Sequence, residues 1–236
     1  MGIKTYVIHV RGNTERENFI RNELKKFNID FEFILNGNIE DLTDGDLNKY
    51  FKDDFKISSP RSSCTIKHFF VYERMVENNI SVALVFEDDI ELSGNFPEIF
   101  DKSLKEAAEM RESYVISYES STQEFISSSE VIPGKVLYQK THGRCAGAYL
   151  IDLAAAKKIL EYGLKNKVNV CMDWVHNVLS EKGWLKIYWC HPAIAEQQSH
   201  NGKIQSLLDE KKQGPYYRLK YFLEKTYKQK ILSRFR

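Results

Sequence analysis

The run Val82-Ala83-Leu84-Val85-Phe86, followed at once by Glu87-Asp88-Asp89, constrains this chain more than any other stretch. A continuous apolar run of this length is the mark of a strand buried on both faces, as in parallel sheets covered by helices. Three consecutive acids at its carboxyl end repel one another unless something positive sits among them. Ligands of open α/β sheets gather outside the carboxyl ends of the strands, so the segment predicts a central parallel strand that delivers carboxylates into a ligand site. In extended backbone Glu87 and Asp89 point to one side and Asp88 to the other, which leaves Asp88 buried behind a spaced pair. A hard divalent cation such as Mg2+ or Mn2+ suits these oxygen ligands and can bridge to diphosphate oxygens. The competing reading is a solvated turn, the common fate of short acidic runs.

The rest of the sequence supplies alternating elements around that strand. Residues 5–10 (TYVIHV) read as a strand and 11–14 as a polar turn. Residues 15–27 read as a helix with Phe19, Ile20, Leu24 and Phe27 on one face, and 31–35 (FEFIL) as a second strand. The polar stretch 36–63 predicts a loop with one short helix at 47–51. A helix over 65–77, the strand at 82–86, a Pro-marked helix over 97–110 and strands at 114–118 and 136–139 follow, the last two separated by a Ser-rich loop at 120–129. Residues 147–152 (GAYLID) read as a strand, 153–162 as an Ala-rich helix ended by Gly163, 172–182 as a helix and 185–189 as an aromatic strand. Alternation of this kind predicts one α/β domain over residues 1–210 with a mostly parallel central sheet.

With 236 residues and 42% hydrophobic content the chain can bury a proper core, which excludes a disordered or minimal scaffold. No apolar run approaches the ~20 residues that cross a bilayer, and no export signal opens the sequence. Cys64, Cys145, Cys171 and Cys190 are too scattered for a disulfide framework, so a reducing cytoplasm is expected. The near-zero net charge hides an asymmetry: residues 211–236 carry a net +8 and the remainder −7. Beyond Gly214-Pro215, Leu219, Leu223, Tyr227, Ile231 and Phe235 recur every four residues beside Lys and Arg, which predicts a basic amphipathic helical tail. Such a helix suits an anionic membrane surface, where each basic residue adds ~1 kcal/mol. A helix docked on the body is the alternative. The same charge would serve RNA, but the body offers no matching basic surface in its sequence, so nucleic acid is not an expected partner.

Four patches, in order and spacing, resemble glycosyltransferase family 25: residues 6–16 (YVIHVRGNTER), 64–68 (CTIKH), 84–89 (LVFEDD) and 143–152 (GRCAGAYLID), together with Asp173-Trp174 and residues 192–198. The pattern of that family near Cys64 reads Gly-Cys-x-x-Ser-His, and here Ser63 and Lys67 stand in place of the Gly and Ser. The resemblance implies a GT-A fold and an inverting, metal-dependent transfer of a hexose, first of all galactose from UDP-galactose, to a lipooligosaccharide or LPS core sugar. The setting it implies is bacterial, with a lipid-linked oligosaccharide acceptor and the enzyme peripheral on the inner face of the cytoplasmic membrane. A glucosyltransferase using UDP-glucose, or a catalytically silent sugar-nucleotide-binding membrane scaffold, are the alternatives.

The resemblance also implies roles. Glu87, Asp88 and Asp89 form a DxD-like element, with Asp89 the direct ligand of Mn2+ or Mg2+ and Glu87 serving metal or ribose. His200 is a further metal ligand or an ordinary loop histidine. Arg16, in the first βα turn, offers a planar fork to phosphate, and His9 and Val10 flank the base. Asp173, at a helix start beside Trp174, is the base that takes the acceptor hydroxyl proton, against the reading of a helix cap; Glu119 is the reserve. Arg144 contacts phosphate or acceptor, and the small residues around it either admit a ligand or pack strand on helix. Cys64 and His68 share a helix face, but with no third partner they read as structural.

Overall fold

The structure, a computed structural model, describes residues 2–111, 113–207 and 215–233. The chain runs through β1 (Lys4–Ile8), α1 (Thr14–Lys25), β2 (Glu32–Ile34), α2 (Asp44–Tyr50), a 3-10 turn (Asp53–Lys56), α3 (Pro60–Glu77), β3 (Val82–Glu87) and β4 (Ile90–Leu92). It continues through α4 (Phe96–Ala108), β5 (Tyr114–Ser117), β6 (Leu137–Lys140), β7 (Ala148–Asp152), α5 (Leu153–Asn166), α6 (Met172–Glu181), β8 (Lys186–Cys190) and β9 (Ala195–Gln197). Last comes α7 (Pro215–Tyr227), which passes into a π-helical turn (Lys228–Leu232).

Seven strands form one sheet in the order β2-β1-β3-β7-β5-β8-β6, and β4 pairs with β9 apart from it. Successive residues of β3 enter different apolar clusters. Val85 packs with Tyr6, Ile8 and Tyr149 beneath Ile66 and Phe69 of α3 and Ile159 of α5. Leu84 and Phe86 pack with Val7 and Leu150 beneath Ile20 and Leu24 of α1 and Phe96 and Phe100 of α4. Both faces of the strand are thus covered by helices, which is why its sequence shows no polar alternation.

The sheet is mixed rather than mostly parallel. β1 lies parallel to β2 and β3, and β5 to β8, but the pairs β3–β7, β5–β7 and β6–β8 are antiparallel. Between β5 and β7 the chain has only loop and β6, and strands joined without a crossover helix return antiparallel. Because β7 opposes both β3 and β5, the carboxyl ends of β1, β3, β5 and β8 still face one edge of the sheet. The three-residue strands β4 and β9 have no counterpart among the predicted elements. Gly163 does not end α5: it lies inside the helix, where a Cβ would come within 2.7 Å of the Phe69 ring, so the glycine permits close packing of α5 on α3.

Helix α7 is docked on the body by one face. Tyr221 is buried and its hydroxyl donates to Glu196 Oε1 at 2.8 Å, Lys225 pairs with Glu196 at 2.7 Å, and Arg218 Nε donates to the Gly202 carbonyl at 2.6 Å. The predicted apolar stripe is the other face: Leu219, Leu223, Tyr227 and Ile231 are exposed, as is Phe222. The expected boundary at 210/211, Gly214, and the last members of the stripe and charge run, Arg234, Phe235 and Arg236, lie outside the described residues. Among the described residues no helix is long and apolar enough to cross a membrane.

Candidate active site

A cavity of about 460 Å³ opens where β1 and β3 end, within the size range of small-molecule sites. Its wall includes His9 and Val10 after β1, Arg16 of α1, Cys64 and Lys67 of α3, and Glu87, Asp88 and Asp89 at the end of β3. Gln197 at the end of β9, with Ser199 and His200 after it, also lines the cavity.

The first βα turn sets the position of Arg16. Gly12 takes a φ of +87°, a left-handed conformation suited to glycine, and Asn13 caps α1 by accepting from the Arg16 amide at 3.2 Å. Arg16 therefore lies in the first helical turn and reaches inward, Nη1 donating to Asp88 Oδ1 at 2.6 Å and Nη2 to the Gln205 carbonyl at 2.8 Å. Nη2 also lies 3.8 Å from Asp89 Oδ2. His9 Nδ1 meets the other Asp88 oxygen at 2.8 Å. Burial alone would raise the Asp88 carboxyl, but the His9 hydrogen bond and the Arg16 charge outweigh it and hold it below the usual carboxylate range.

The three acids have different fates. Extended backbone stops at Glu87 and residues 88–89 form the turn into β4, so strict alternation does not hold: Asp88 is buried as expected, but so is Asp89, and Glu87 is the half-buried one. Asp89 is 1% exposed; its Oδ2 accepts from the Ser199 amide at 3.4 Å, while Oδ1 is buried with no hydrogen-bond partner. Glu87 accepts from Gln197 Nε2 at 2.8 Å, and its carboxyl is raised by burial and by Asp89 and Asp88. An orphaned, buried carboxylate oxygen beside a second carboxylate at the cavity wall is a donor set that fits a hard divalent cation.

Behind Glu87 lies a cluster that the sequence did not assemble. Cys64 Sγ, a His68 ring nitrogen and a Glu87 oxygen lie within 4.8 Å of one another, with His68 Nε2 3.6 Å from Glu87 Oε1. The other face of His68 begins a buried chain, His68 Nδ1 to Tyr149 OH, Tyr149 OH to Tyr72 OH and Tyr72 OH to His176 Nε2, each 2.8 Å. Burial pushes both histidines down to about 3, so they are neutral, and pushes the Cys64 thiol well up, which disqualifies it as a nucleophile. Asp173 interacts electrostatically with His68 and Glu87, so it belongs to this end of the molecule. Cys171, not Asp173, occupies the cap position of α6; Asp173 accepts from the Trp174 amide at 2.9 Å, burial raises its carboxyl, and Trp174 beside it is 61% exposed.

The cavity thus gathers His9, Val10, Arg16, Glu87, Asp88, Asp89 and His200, whose backbone amide bonds the Gln197 carbonyl at 3.2 Å. Asp173, Glu119 and Arg144 are not part of its wall, although Cys171, two residues before Asp173, is. Glu119 is buried, accepts from the Ala148 amide at 2.9 Å and the Ser121 hydroxyl at 2.7 Å, and is raised to about 8 by burial. A Cβ on Gly147 would meet Gln197 at 2.6 Å and Glu119 at 2.7 Å, so this small residue serves packing rather than ligand approach. Arg144 lines a separate cavity. Lys67, buried at the cavity wall with Nζ donating to the His9 carbonyl and to Asn38 Oδ1, was visible in sequence only as a departure from the pattern around Cys64; burial lowers it to about 8. Gln197 entered the sequence reading only within residues 192–198, and Ser199 carried no signal of its own.

Comparison with known proteins places this geometry in context. Residues 2–175 match the sequence model of "Glycosyltransferase family 25 (LPS biosynthesis protein)". The chain is 26% identical over 165 residues to the lipooligosaccharide biosynthesis protein lex-1 of Haemophilus influenzae, covering 64% of this chain and 54% of that protein. It is 24% identical over 172 residues to a glycosyltransferase 25 family member of Aedes aegypti, covering 68% of this chain and 28% of that protein. The chain spans about half the length, or less, of these two relatives. Among solved structures, the inositol-1-phosphate CTP transferase from T. maritima superposes with a TM-score of 0.41 at 13% identity over 98% of both chains.

Proposed function

We propose, from the premise that this chain belongs to glycosyltransferase family 25, that it transfers a hexose, galactose from UDP-galactose in the first instance, to a core sugar of a lipooligosaccharide, with inversion and with the help of a divalent cation. The observation that carries the reading is the unpartnered Asp89 Oδ1 beside Glu87 in a cavity at the carboxyl ends of β1 and β3. Asp89 and Glu87 would hold Mn2+ or Mg2+, which when bound supplies positive charge against the departing diphosphate. Val10 lies at the mouth of the cavity for contact with the base, and His200 faces the same space.

In the transfer the acceptor hydroxyl oxygen bonds to the anomeric carbon from the face opposite UDP, the bond from that carbon to the diphosphate oxygen breaks, and the hydroxyl proton passes to a carboxylate. Asp173 is that base: burial raises its proton affinity, Cys171 two residues before it lines the cavity, and exposed Trp174 offers an aromatic face to the acceptor ring. Arg16 acts indirectly, by locking Asp88 so that the turn carrying Asp89 is held in place.

Helix α7 is read as a peripheral anchor, holding the enzyme at the inner face of the membrane near a lipid-linked acceptor. Its exposed Leu219, Phe222, Leu223 and Tyr227, flanked by Lys220 and Lys228, support that reading. UDP release from a panel of UDP-hexoses with Mn2+, Mg2+ or EDTA tests the proposal: metal-dependent turnover of one donor names the sugar, and turnover of none supports the silent scaffold.

A further inference from the structure

Arg144 is the second buried arginine among the described residues, and its surroundings differ from those of Arg16. It is 3% exposed, and Nη2 donates to the Ser117 and Cys190 carbonyls at 3.0 and 2.9 Å, the last residues of β5 and β8. Its guanidinium carbon lies 5.1 Å from the centre of the Trp189 ring. Arg16 has Asp88 at 2.6 Å, whereas no carboxylate of the described residues lies within 4.0 Å of Arg144, and its Nε is buried without a hydrogen-bond partner. Burial lowers it to about 10, so it stays a cation at neutral pH. A buried charge left unmatched is costly, and Nε is a donor with nothing to meet.

A cavity of about 460 Å³ has Arg144 in its wall. Phe125, Ile126 and Pro192 give it an apolar wall, and Lys225 of α7 lines it as well, its Nζ 3.0 Å from Ser120 Oγ and paired with Glu196. One acid, Glu124, also lines it and is engaged by His142 Nε2 at 2.8 Å. The volume exceeds what a bare ion needs and suits a ring with a charged substituent. Both cavities adjoin the carboxyl edge of the sheet, one at β1 and β3 and this one at β5 and β8, with β7 between them. A clamp between two strand ends would account for Nη2, but not for the unmet Nε or for the space beside it.

We propose that this cavity binds an oxyanion carried on a sugar, a phosphate ester or a carboxylate, with Arg144 as its cation and the apolar wall seating the ring. The assignment rests on the transferase reading only in taking that sugar to be part of the acceptor.

Methyl NMR of the full chain labelled at isoleucine tests it, because Ile126 lines this cavity while Ile8 and Ile39 line the other. Inorganic phosphate, a hexose 6-phosphate and a hexuronate are titrated separately. The expected result is a saturable shift at Ile126 with one of the two sugars, bound more tightly than inorganic phosphate; whichever sugar wins identifies the anion. Ser128→Asp, at an exposed position lining the cavity, brings a competing carboxylate and weakens binding by about tenfold or more, as does Arg144→Met. Should Arg144→Met fail to fold, Ser128→Asp decides. Shifts confined to Ile8 and Ile39, no saturable shift, or equal affinity in wild type and Ser128→Asp would overturn the assignment. Binding at Ile126 in a protein that turns over no donor would keep the site and count against the transferase reading alone.

Discussion

Arg16 and Asp88, 72 residues apart in the chain, meet in a buried pair with Nη1 2.6 Å from Oδ1. With His9 on the second oxygen at 2.8 Å, this pair spends Asp88 inside the fold and leaves Asp89 as the acid with an unmet oxygen at the cavity. Three adjacent acids thereby divide into one that holds the turn and two available to a ligand.

Removing Asp88 should therefore be a stability lesion. Asp88→Ala leaves the Arg16 charge and the His9 nitrogen buried without their partner, and a loss of about 3 to 5 kcal/mol in urea unfolding is expected. Because the folded carboxyl sits below its ordinary range, the pair contributes fully above about pH 4 and is lost as the pH falls further. Wild type should lose stability below pH 4 more steeply than Asp88→Asn; parallel curves would contradict the assignment.

Glu119 should act with the opposite sign. Its folded value of about 8 lies above the ordinary 4.5, so the native state binds the extra proton and stability falls as pH rises between those values. Glu119→Gln removes the titrating group, so its stability relative to wild type should climb across that window, by roughly 2 to 4 kcal/mol at pH 8. A flat difference between the two proteins would show that Glu119 is not held protonated.

Asp173→Asn separates chemistry from binding. If Asp173 takes the acceptor proton, the substitution lowers kcat by about a hundredfold or more and leaves UDP affinity within a factor of two or so. Loss of both together in the same titration would reduce Asp173 to a structural residue at the start of α6.

The exposed face of α7 makes a membrane prediction that catalysis does not share. Wild type should sediment with vesicles containing anionic lipid and not with neutral ones, and Phe222→Asp with Leu223→Asp should abolish sedimentation while leaving the thermal transition near its wild-type value. Equal sedimentation of wild type and the double variant would leave α7 as a docked helix only.

The strands and helices that line the sheet were legible because each is built on a period: Val82–Glu87 as an unbroken apolar run, Thr14–Lys25 as Ile20 and Leu24 on one face. The direction of β7 was not, since nothing in the local sequence of Ala148–Asp152 distinguishes a parallel from an antiparallel neighbour; only the missing crossover helix does. The acids at the strand end announced the site, but the contacts that sort them span the chain. Gln197 reaches Glu87 across 110 residues, and the Gln205 carbonyl takes Arg16 across 189. Nothing in the sequence placed Arg144 two strands away from Asp89, because its position depends on where β5 and β8 end.

Calorimetric titration of UDP with and without Mn2+, in wild type and Asp89→Ala, tests the central claim most directly. Wild type should bind UDP in Mn2+ and weaken by about a hundredfold in EDTA, and Asp89→Ala, which removes the oxygen the fold leaves unused together with the one that accepts from the Ser199 amide, should lose the metal-dependent affinity. Equal UDP affinity in Mn2+ and EDTA, or in wild type and Asp89→Ala, would contradict the account.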